Sequence, residues 1–249
     1  MTKQDYTRTL FEAYNNCTQV ANDLFSDITL AEAYDVAAGV TTLRGDNQES
    51  PTGYKLSATN DGSQKTFGVS EPIWGLVTQP PLTSPLVLKE GQTPLVELEI
   101  VFIAQQDIDA QVTDEQLLAG FQVAVGLEFP MPRYAGFPKI TGGQFVADNV
   151  AAWNVTYGPA KQLSHKDLEN IKGILYFDGE QVGENTSVCV LQHPVNALRW
   201  LVNELAKNGQ SIKKGQFIFS GTFTPPSPAK KGTYKGEIDG IGTVEFTVH

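Results

Sequence analysis

The chain opens with helical spacing of its apolar positions. Leu10, Phe11, Tyr14, Cys17, Val20, Ala21 and Leu24 recur mostly every three or four residues, which predicts an amphipathic helix over 6–24. Thr29-Leu30-Ala31-Glu32 has the pattern of a capping box and opens a second helix through Val36 to Gly39. Arg44 to Gly53 is polar and rich in turn formers, so it is read as the connection between a helical lead, residues 1–50, and a main body, residues 51–249. Beyond it the apolar runs shorten. Tyr54-Lys55-Leu56 starts a strand, Phe67 to Gly75 reads as a loop, and Pro94 to Ile103 forms the central strand. Its unbroken run Ile100-Val101-Phe102-Ile103 is how a strand covered on both faces reads.

Further along, Thr113-Asp114-Glu115-Gln116 caps a predicted helix reaching Glu128, with Leu117, Phe121, Val125 and Leu127 on its apolar side and Pro130 ending it. Glu128 would close that helix, where the helix dipole disfavours a carboxylate unless something positive meets it. Val146-Ala147-Asp148-Asn149 lies in a glycine-rich segment and reads as a turn. Ile174 to Val182 reads as a hairpin about Asp178-Gly179, and His193-Pro194 starts a helix ending at Gly209. Gln216 to Thr222 is a strand breaking into a hydroxyl-rich turn, and Gly242 to Val248 is an alternating terminal strand.

Composition narrows the function. A chain of 249 residues with 41% hydrophobic content suits one large domain or a domain with a smaller appendage. Its net charge of −10, from 28 acidic against 18 basic residues, argues against nucleic acid and anionic membranes as partners. No apolar run approaches the roughly 18 residues of a membrane span. The start Met1-Thr2-Lys3-Gln4-Asp5-Tyr6 lacks the apolar core of a signal peptide, so a cytoplasmic location is expected. Cys17 and Cys189 stand apart without CxxC spacing and read as buried thiols. With only 3 histidines, His249 being terminal, a histidine-rich zinc site is excluded and any metal would be bound by oxygen.

The candidate chemistry sits on the central strand, where side chains alternate and Glu97 and Glu99 therefore share a face. A bare Glu-x-Glu more often marks a solvated acidic face, and Lys55 taken alone reads as a surface lysine. At the end of a buried strand, however, two carboxylates repel and one holds a proton unless a cation neutralises them. A divalent metal is the natural candidate.

The ordered motifs then become specific. Ala33-Tyr34, Gly53-Tyr54-Lys55-Leu56, Gly68-Val69-Ser70-Glu71-Pro72 and Val96-Glu97-Leu98-Glu99-Ile100 are followed by Leu127-Glu128 with Arg133 and Ala147-Asp148-Asn149. His193-Pro194-Val195-Asn196-Ala197 and Ser220-Gly221-Thr222-Phe223-Thr224 complete the set. Over nearly its whole length the chain resembles the fumarylacetoacetate hydrolase superfamily, in the branch of 2-keto-4-pentenoate hydratases and 4-oxalocrotonate decarboxylases. The resemblance implies an α+β fold with a mixed β-barrel or β-roll core behind a helical N-terminal region. It implies that Glu97, Glu99 and Glu128 bind one Mg²⁺ or Mn²⁺, which leaves about half of an octahedral shell for water and substrate. It also places Lys55 in the pocket, where it would polarise the C2 oxygen or move a proton, with Asp148 as a second catalytic residue and Ser220 and Thr222 binding substrate along the wall, and implies a homo-oligomer.

The activity so implied is a metal-dependent hydro-lyase of aromatic or related catabolism, adding water to a small 2-hydroxy-2,4-dienoate to give a 4-hydroxy-2-oxo acid. Decarboxylation of a vinylogous 2-oxo diacid needs the same enolate stabilisation and stays open, as does a non-catalytic partner subunit. A carbon–carbon bond hydrolase ranks below these, since His165 and His193 lack a nearby Glu in helical register. Two departures bear on the substrate: Pro130-Met131-Pro132 stands where relatives commonly carry an Asp, and Cys189-Val190-Leu191-Gln192 replaces a small, glycine-rich approach to His-Pro.

Overall fold

The computed structural model describes residues 2–46, 51–108, 110 and 112–249. Helix α1 (Lys3–Asn16) begins in a capping box, Thr2 accepting from the Asp5 amide while Asp5 accepts from the Thr2 amide at 2.8 Å. It stops well short of the expected Leu24. Cys17 turns left-handed at φ 53°, and Val20 leaves the helix to pair with the loop opposite, its amide 2.7 Å from the Arg133 carbonyl. Helix α2 (Leu30–Asp46) instead runs past the expected Gly39. Gly39 marks its close crossing with α1, since a Cβ there would lie 2.9 Å from Thr7 Cγ2. Tyr6, Leu10, Val36 and Val40 from this pair share one apolar cluster with Tyr134, Phe145 and Val150. The helical lead thus packs onto the body; the boundary expected at residue 50 falls with residues 47–50, outside the described residues.

The body begins with β1 (Gly53–Ser57), α3 (Asp61–Phe67), β2 (Ile73–Val77), β3 (Leu95–Ala104), α4 (Asp114–Ala119) and β4 (Phe121–Phe129). It continues through α5 (Gly142–Ala147), β5 (Asn154–Tyr157), the pair β6 (Lys172–Phe177) and β7 (Glu180–Thr186), and α6 (Pro194–Lys207). The last strands are β8 (Phe217–Thr222), β9 (Ser227–Pro228), β10 (Gly232–Ile238) and β11 (Gly242–Val248). Among the described residues these form a large curled sheet, ordered β2-β1-β8-β3-β4-β5 with β9 beside β3, and a smaller one ordered β11-β10-β6-β7. β1 and β8 run parallel and the other pairs antiparallel. The expected α+β class, with a mixed β core behind N-terminal helices, holds.

Apolar burial explains the layering. β3 lies between β8 and β4 and is covered on both faces, as its unbroken apolar run requires. The two sheets close on one core in which Phe129 stands 6.4 Å from the Tyr234 ring and 5.7 Å from Phe246. The apolar stripe of α6, Val195 to Leu205, joins the same cluster. Gly209 follows the helix at φ 66°, in the expected C′ role. The hairpin about Asp178-Gly179 forms with φ 48° and 86°, as a two-residue turn between right-twisted strands demands. No helix among the described residues is long and apolar enough to cross a membrane.

One difference matters for function: the expected helix from Thr113 to Glu128 is two elements. Its capping box forms, Thr113 with Gln116, but Gly120 ends α4 and the chain continues as β4. Leu117, Phe121 and Val125 fall at helical intervals by coincidence. Phe121, Val123, Val125, Leu127 and Phe129 also alternate, and β-branched residues favour the extended form. Gly126 confirms the choice, for a Cβ there would lie 2.4 Å from Val101 Cγ2 and 2.6 Å from Phe219 Cε1. Elsewhere, the loop expected over 67–75 holds the end of α3 and the start of β2, and the turn expected before Asp148 is the short helix α5.

Candidate active site

The strand identity of β4 creates the site. In the antiparallel register Glu97 faces Glu128 and Glu99 faces Gly126, so all three glutamates project from one face of two adjacent strands. Each offers an oxygen within 4.8 Å of the others, and all three residues are buried. At that separation and an effective dielectric constant near 20, two ionised carboxylates repel by about 3 kcal/mol. Burial drives the Glu97 carboxyl up to about 8, the charge of Lys55 working against the rise and that of Glu128 adding to it. Glu99 is held well above the ordinary carboxylate range by burial and then by Glu128 and Glu97.

The donor set fits a hard divalent cation. Glu99 Oε1 and both Glu128 oxygens have no hydrogen-bond partner among the described residues, although they are fully buried. Such orphaned oxygens are costly unless something positive meets them. The other Glu99 oxygen accepts from the Gly221 amide at 2.7 Å. Gly221 sits at φ 108° where the β3–β8 register shifts, and a Cβ there would lie 2.4 Å from Thr59 Oγ1. Only glycine serves this bulge.

Lys55 completes the closed end. β1 carries it between β2 and β8, opposite Gly75 and Phe219, and buries it. Its Nζ lies 3.0 Å from Glu128 Oε1, an ion pair lacking hydrogen-bond alignment, and donates to the Val150 carbonyl at 3.1 Å. Burial works to neutralise this amine, but Glu128, Glu97 and Glu99 outweigh it and hold its pKa above that of ordinary lysine. It is an ammonium with fixed partners.

The Val150 carbonyl comes from strained backbone. Asn149, Val150 and Ala151 all take left-handed conformations, at φ 52°, 53° and 57°, each costing about 1–2 kcal/mol. Two clamps hold the turn. The Asn149 side chain accepts from the Leu76 amide and donates to its carbonyl, both at 2.7 Å. Asp148 accepts from Arg133 through the backbone amide at 2.9 Å and the guanidinium at 3.0 Å, while Arg133 reaches on to the Ala152 carbonyl at 2.9 Å.

A cavity of about 470 Å³ opens from this end. Glu97, Lys55 and Thr222 line it, whereas Glu99 and Glu128 lie fully buried behind them. Asp148 and Ser220, expected in the wall, do not line the cavity. Asp148 is behind the left-handed turn with both oxygens engaged by Arg133, and Ser220 is buried with its hydroxyl unpartnered among the described residues. Thr222 Oγ1 donates to the Thr224 carbonyl at 2.7 Å, so its proton serves its own turn. The roles of Asn149 and Gly221 have no mark in local spacing, because the groups they meet, Leu76 and Glu99, are remote in sequence.

Asp148→Ala is therefore expected to destabilise the fold by about 3–5 kcal/mol, since it leaves the buried Arg133 guanidinium without its counter-charge. Urea unfolding of the metal-free protein measures this directly. A change below about 1 kcal/mol would refute the clamp.

No protein-family model matches the chain. It is 26% identical over 230 residues to a 4-oxalocrotonate decarboxylase of Pseudomonas sp, covering 88% of this chain and 87% of that one. It is 29% identical over 228 residues to a 2-keto-4-pentenoate hydratase of Burkholderia vietnamiensis, covering 89% and 86%. Its fold superposes with TM-score 0.89 and 23% identity on 4-oxalocrotonate decarboxylase from Pseudomonas putida G7, over 100% of this chain and 99% of the other. A putative fumarylacetoacetate hydrolase family protein from Yersinia pestis CO92 superposes with TM-score 0.62 and 15% identity, over 79% and 92%. The chain thus has the fumarylacetoacetate hydrolase fold and is similar over most of its length to curated 2-keto-4-pentenoate hydratases and 4-oxalocrotonate decarboxylases.

Proposed function

We propose that the chain is a divalent-metal-dependent hydratase that adds water to a 2-hydroxy-2,4-dienoate to give a 4-hydroxy-2-oxo acid, in aromatic or related catabolism. The observation that carries this is the convergence of three buried carboxylates and one buried ammonium at the closed end of a cavity. The hydratase relatives support it, among them a 2-hydroxyhexa-2,4-dienoate hydratase of Comamonas testosteroni. So does the superposed decarboxylase, which was solved with magnesium and adipate. Glu97, Glu99 and Glu128 would hold Mg²⁺ or Mn²⁺, which when bound supplies Lewis acidity toward the carboxylate and 2-oxygen of a 2-oxo acid.

The chain's own residues do the rest. Hydration moves the proton of the 2-hydroxyl away and delivers one to C5, giving a 2-oxo-3-enoate; water oxygen then bonds to C4 and a proton arrives at C3. Both halves pass through negative charge on the 2-oxygen. Lys55 has three N–H donors, of which one is committed to Val150 and another lies toward Glu128. The third is available to that oxygen, and such help is worth about 10² to 10⁴ in rate, or roughly 3–5 kcal/mol. The Gly221 amide keeps Glu99 from swinging, and the left-handed turn keeps Lys55 aimed.

A non-catalytic partner subunit would have no need of this intact constellation. Decarboxylation draws on the same charge stabilisation, so the test offers the Mg²⁺ enzyme 2-hydroxypenta-2,4-dienoate and 2-oxohex-3-enedioate side by side. Loss of diene absorbance without CO₂ release is expected; CO₂ from the diacid with no hydration of the dienoate would overturn the reading. A cytoplasmic location accompanies it. We expect a homo-oligomer as well, which light scattering at micromolar concentration checks against the 27.1 kDa of one chain.

A further inference from the structure

The cavity is larger than the closed end needs, and its outer wall has a definite chemistry. Among the described residues lining it, Lys55 is the one cation and Glu97 the one anion, and both belong to the closed end. Its 470 Å³ falls in the range of pockets that take drug-sized ligands, well beyond what a five-carbon acid fills. One side is aromatic. Phe67, Phe137 and Phe145 pack with centroids 4.5 Å apart for Phe67–Phe145 and 5.3 Å for Phe137–Phe145, and Pro138 continues their surface.

The polar groups beside this wall are poor hosts for an anion. Ser63 Oγ donates its proton to the Asn60 carbonyl at 2.9 Å, and Thr66 Oγ1 donates to the Gly62 carbonyl at 2.9 Å. Thr222 is likewise committed to Thr224. A hydroxyl whose single proton is engaged presents only lone pairs, which repel a carboxylate. The donors left over are neutral: the amides of Asn60 and Asn185, whose oxygens already accept from the Ser63 and Thr186 amides, and the buried Thr224 hydroxyl, which has no partner among the described residues. A carboxylate carried to this wall would lose its hydration without meeting a positive charge. An apolar group would bury itself against three rings.

From this we infer that the substrate bears an uncharged, apolar substituent at C5, bulkier than a methyl group and seated against Phe67, Phe137 and Phe145, and that length-matched diacids are rejected. The inference rests on the hydratase reading for which end of the substrate meets Lys55. It is tested by equilibrium binding, which needs no turnover. Titration calorimetry of the Mg²⁺-loaded protein with 2-oxopentanoate, 2-oxoheptanoate and 2-oxoheptanedioate compares a bare end, an apolar tail and an anionic tail of equal length. Each added methylene in an apolar pocket is worth about tenfold or more. We expect 2-oxoheptanoate to bind at least about tenfold tighter than 2-oxopentanoate. The length-matched diacid should bind at least about a hundredfold more weakly than 2-oxoheptanoate.

Phe137→Ala should erase the advantage of the longer tail, bringing the affinity for 2-oxoheptanoate down to that for 2-oxopentanoate. Thr66→Lys, on an exposed position at the cavity rim, should strengthen diacid binding at least about tenfold. The inference fails if the diacid binds as tightly as 2-oxoheptanoate, if the longer tail brings no gain, or if Thr66→Lys leaves diacid affinity unchanged. Failure of the hydratase reading looks different: no dienoate is hydrated, while the order of the three affinities stands.

Discussion

Stripped of divalent cations, the protein is expected to lose turnover by about a thousandfold or more and to regain it with Mg²⁺ or Mn²⁺. The same three glutamates predict how that dependence varies with pH. In the metal-free chain burial pushes the Glu97 carboxyl up to about 8, and Glu99 is held well above its ordinary range. A folded-state pKa raised above the unfolded value means that the folded chain keeps protons the unfolded chain has already released. The stability this contributes is fully present below the unfolded pKa near 4.5 and is lost as pH rises through about 8. Without metal the protein therefore becomes less stable from pH 5 to pH 8. A bound cation replaces those protons, so the gain in Tm from saturating Mg²⁺ should be small at pH 5 and largest near pH 8. Calorimetric scans with and without chelator check this. A Mg²⁺-induced shift that is the same at both pH values, or full turnover in excess chelator, would remove the metal site.

Replacing Lys55 by Met is expected to lower kcat by about 10² to 10⁴ while changing KM much less. Met keeps most of the buried aliphatic length but removes the ammonium that lies 3.0 Å from Glu128 and 3.1 Å from the Val150 carbonyl. The split between kcat and KM distinguishes stabilisation of a charge that develops during reaction from simple attraction of an anionic substrate. A variant with wild-type kcat and a greatly raised KM would assign Lys55 to binding alone. In the metal-free protein the substitution also removes the counter-charge that, among the described residues, pairs with the glutamate cluster, so its stability should fall further than that of the Mg²⁺ form.

What was legible in the sequence follows the range of the interactions involved. Capping boxes at Thr29 and Thr113, the hairpin at Asp178-Gly179, the α6 helix behind His193-Pro194 and the doubly buried β3 are decided within a few residues, and each forms as its local chemistry requires. Glu97 and Glu99 could be paired in advance because the strand period places them on one face. Glu128 could be assigned to them by resemblance alone. Local spacing put it at the end of a helix, and helix propensity over 114–128 does not register that Gly126 must pass beneath Phe219.

Tertiary structure decided the remainder. Strand pairing brought Glu128 opposite Glu97, and β1 carried Lys55, which alone reads as a surface lysine, into a fully enclosed position against it. Asp148 was recognisable as part of a motif but acquired its place only when Arg133 engaged both its oxygens and turned it away from the cavity. The three left-handed residues after it are strained in isolation and persist because Leu76 and Arg133, remote in sequence, supply the hydrogen bonds that hold them. The sequence by itself determined which carboxylates and hydroxyls were available and which strands would be buried, since side-chain chemistry and periodicity are local properties. Which of those groups meet at one point, and which face the substrate, depended on pairings between distant segments, where packing against the opposite sheet outweighs local preference.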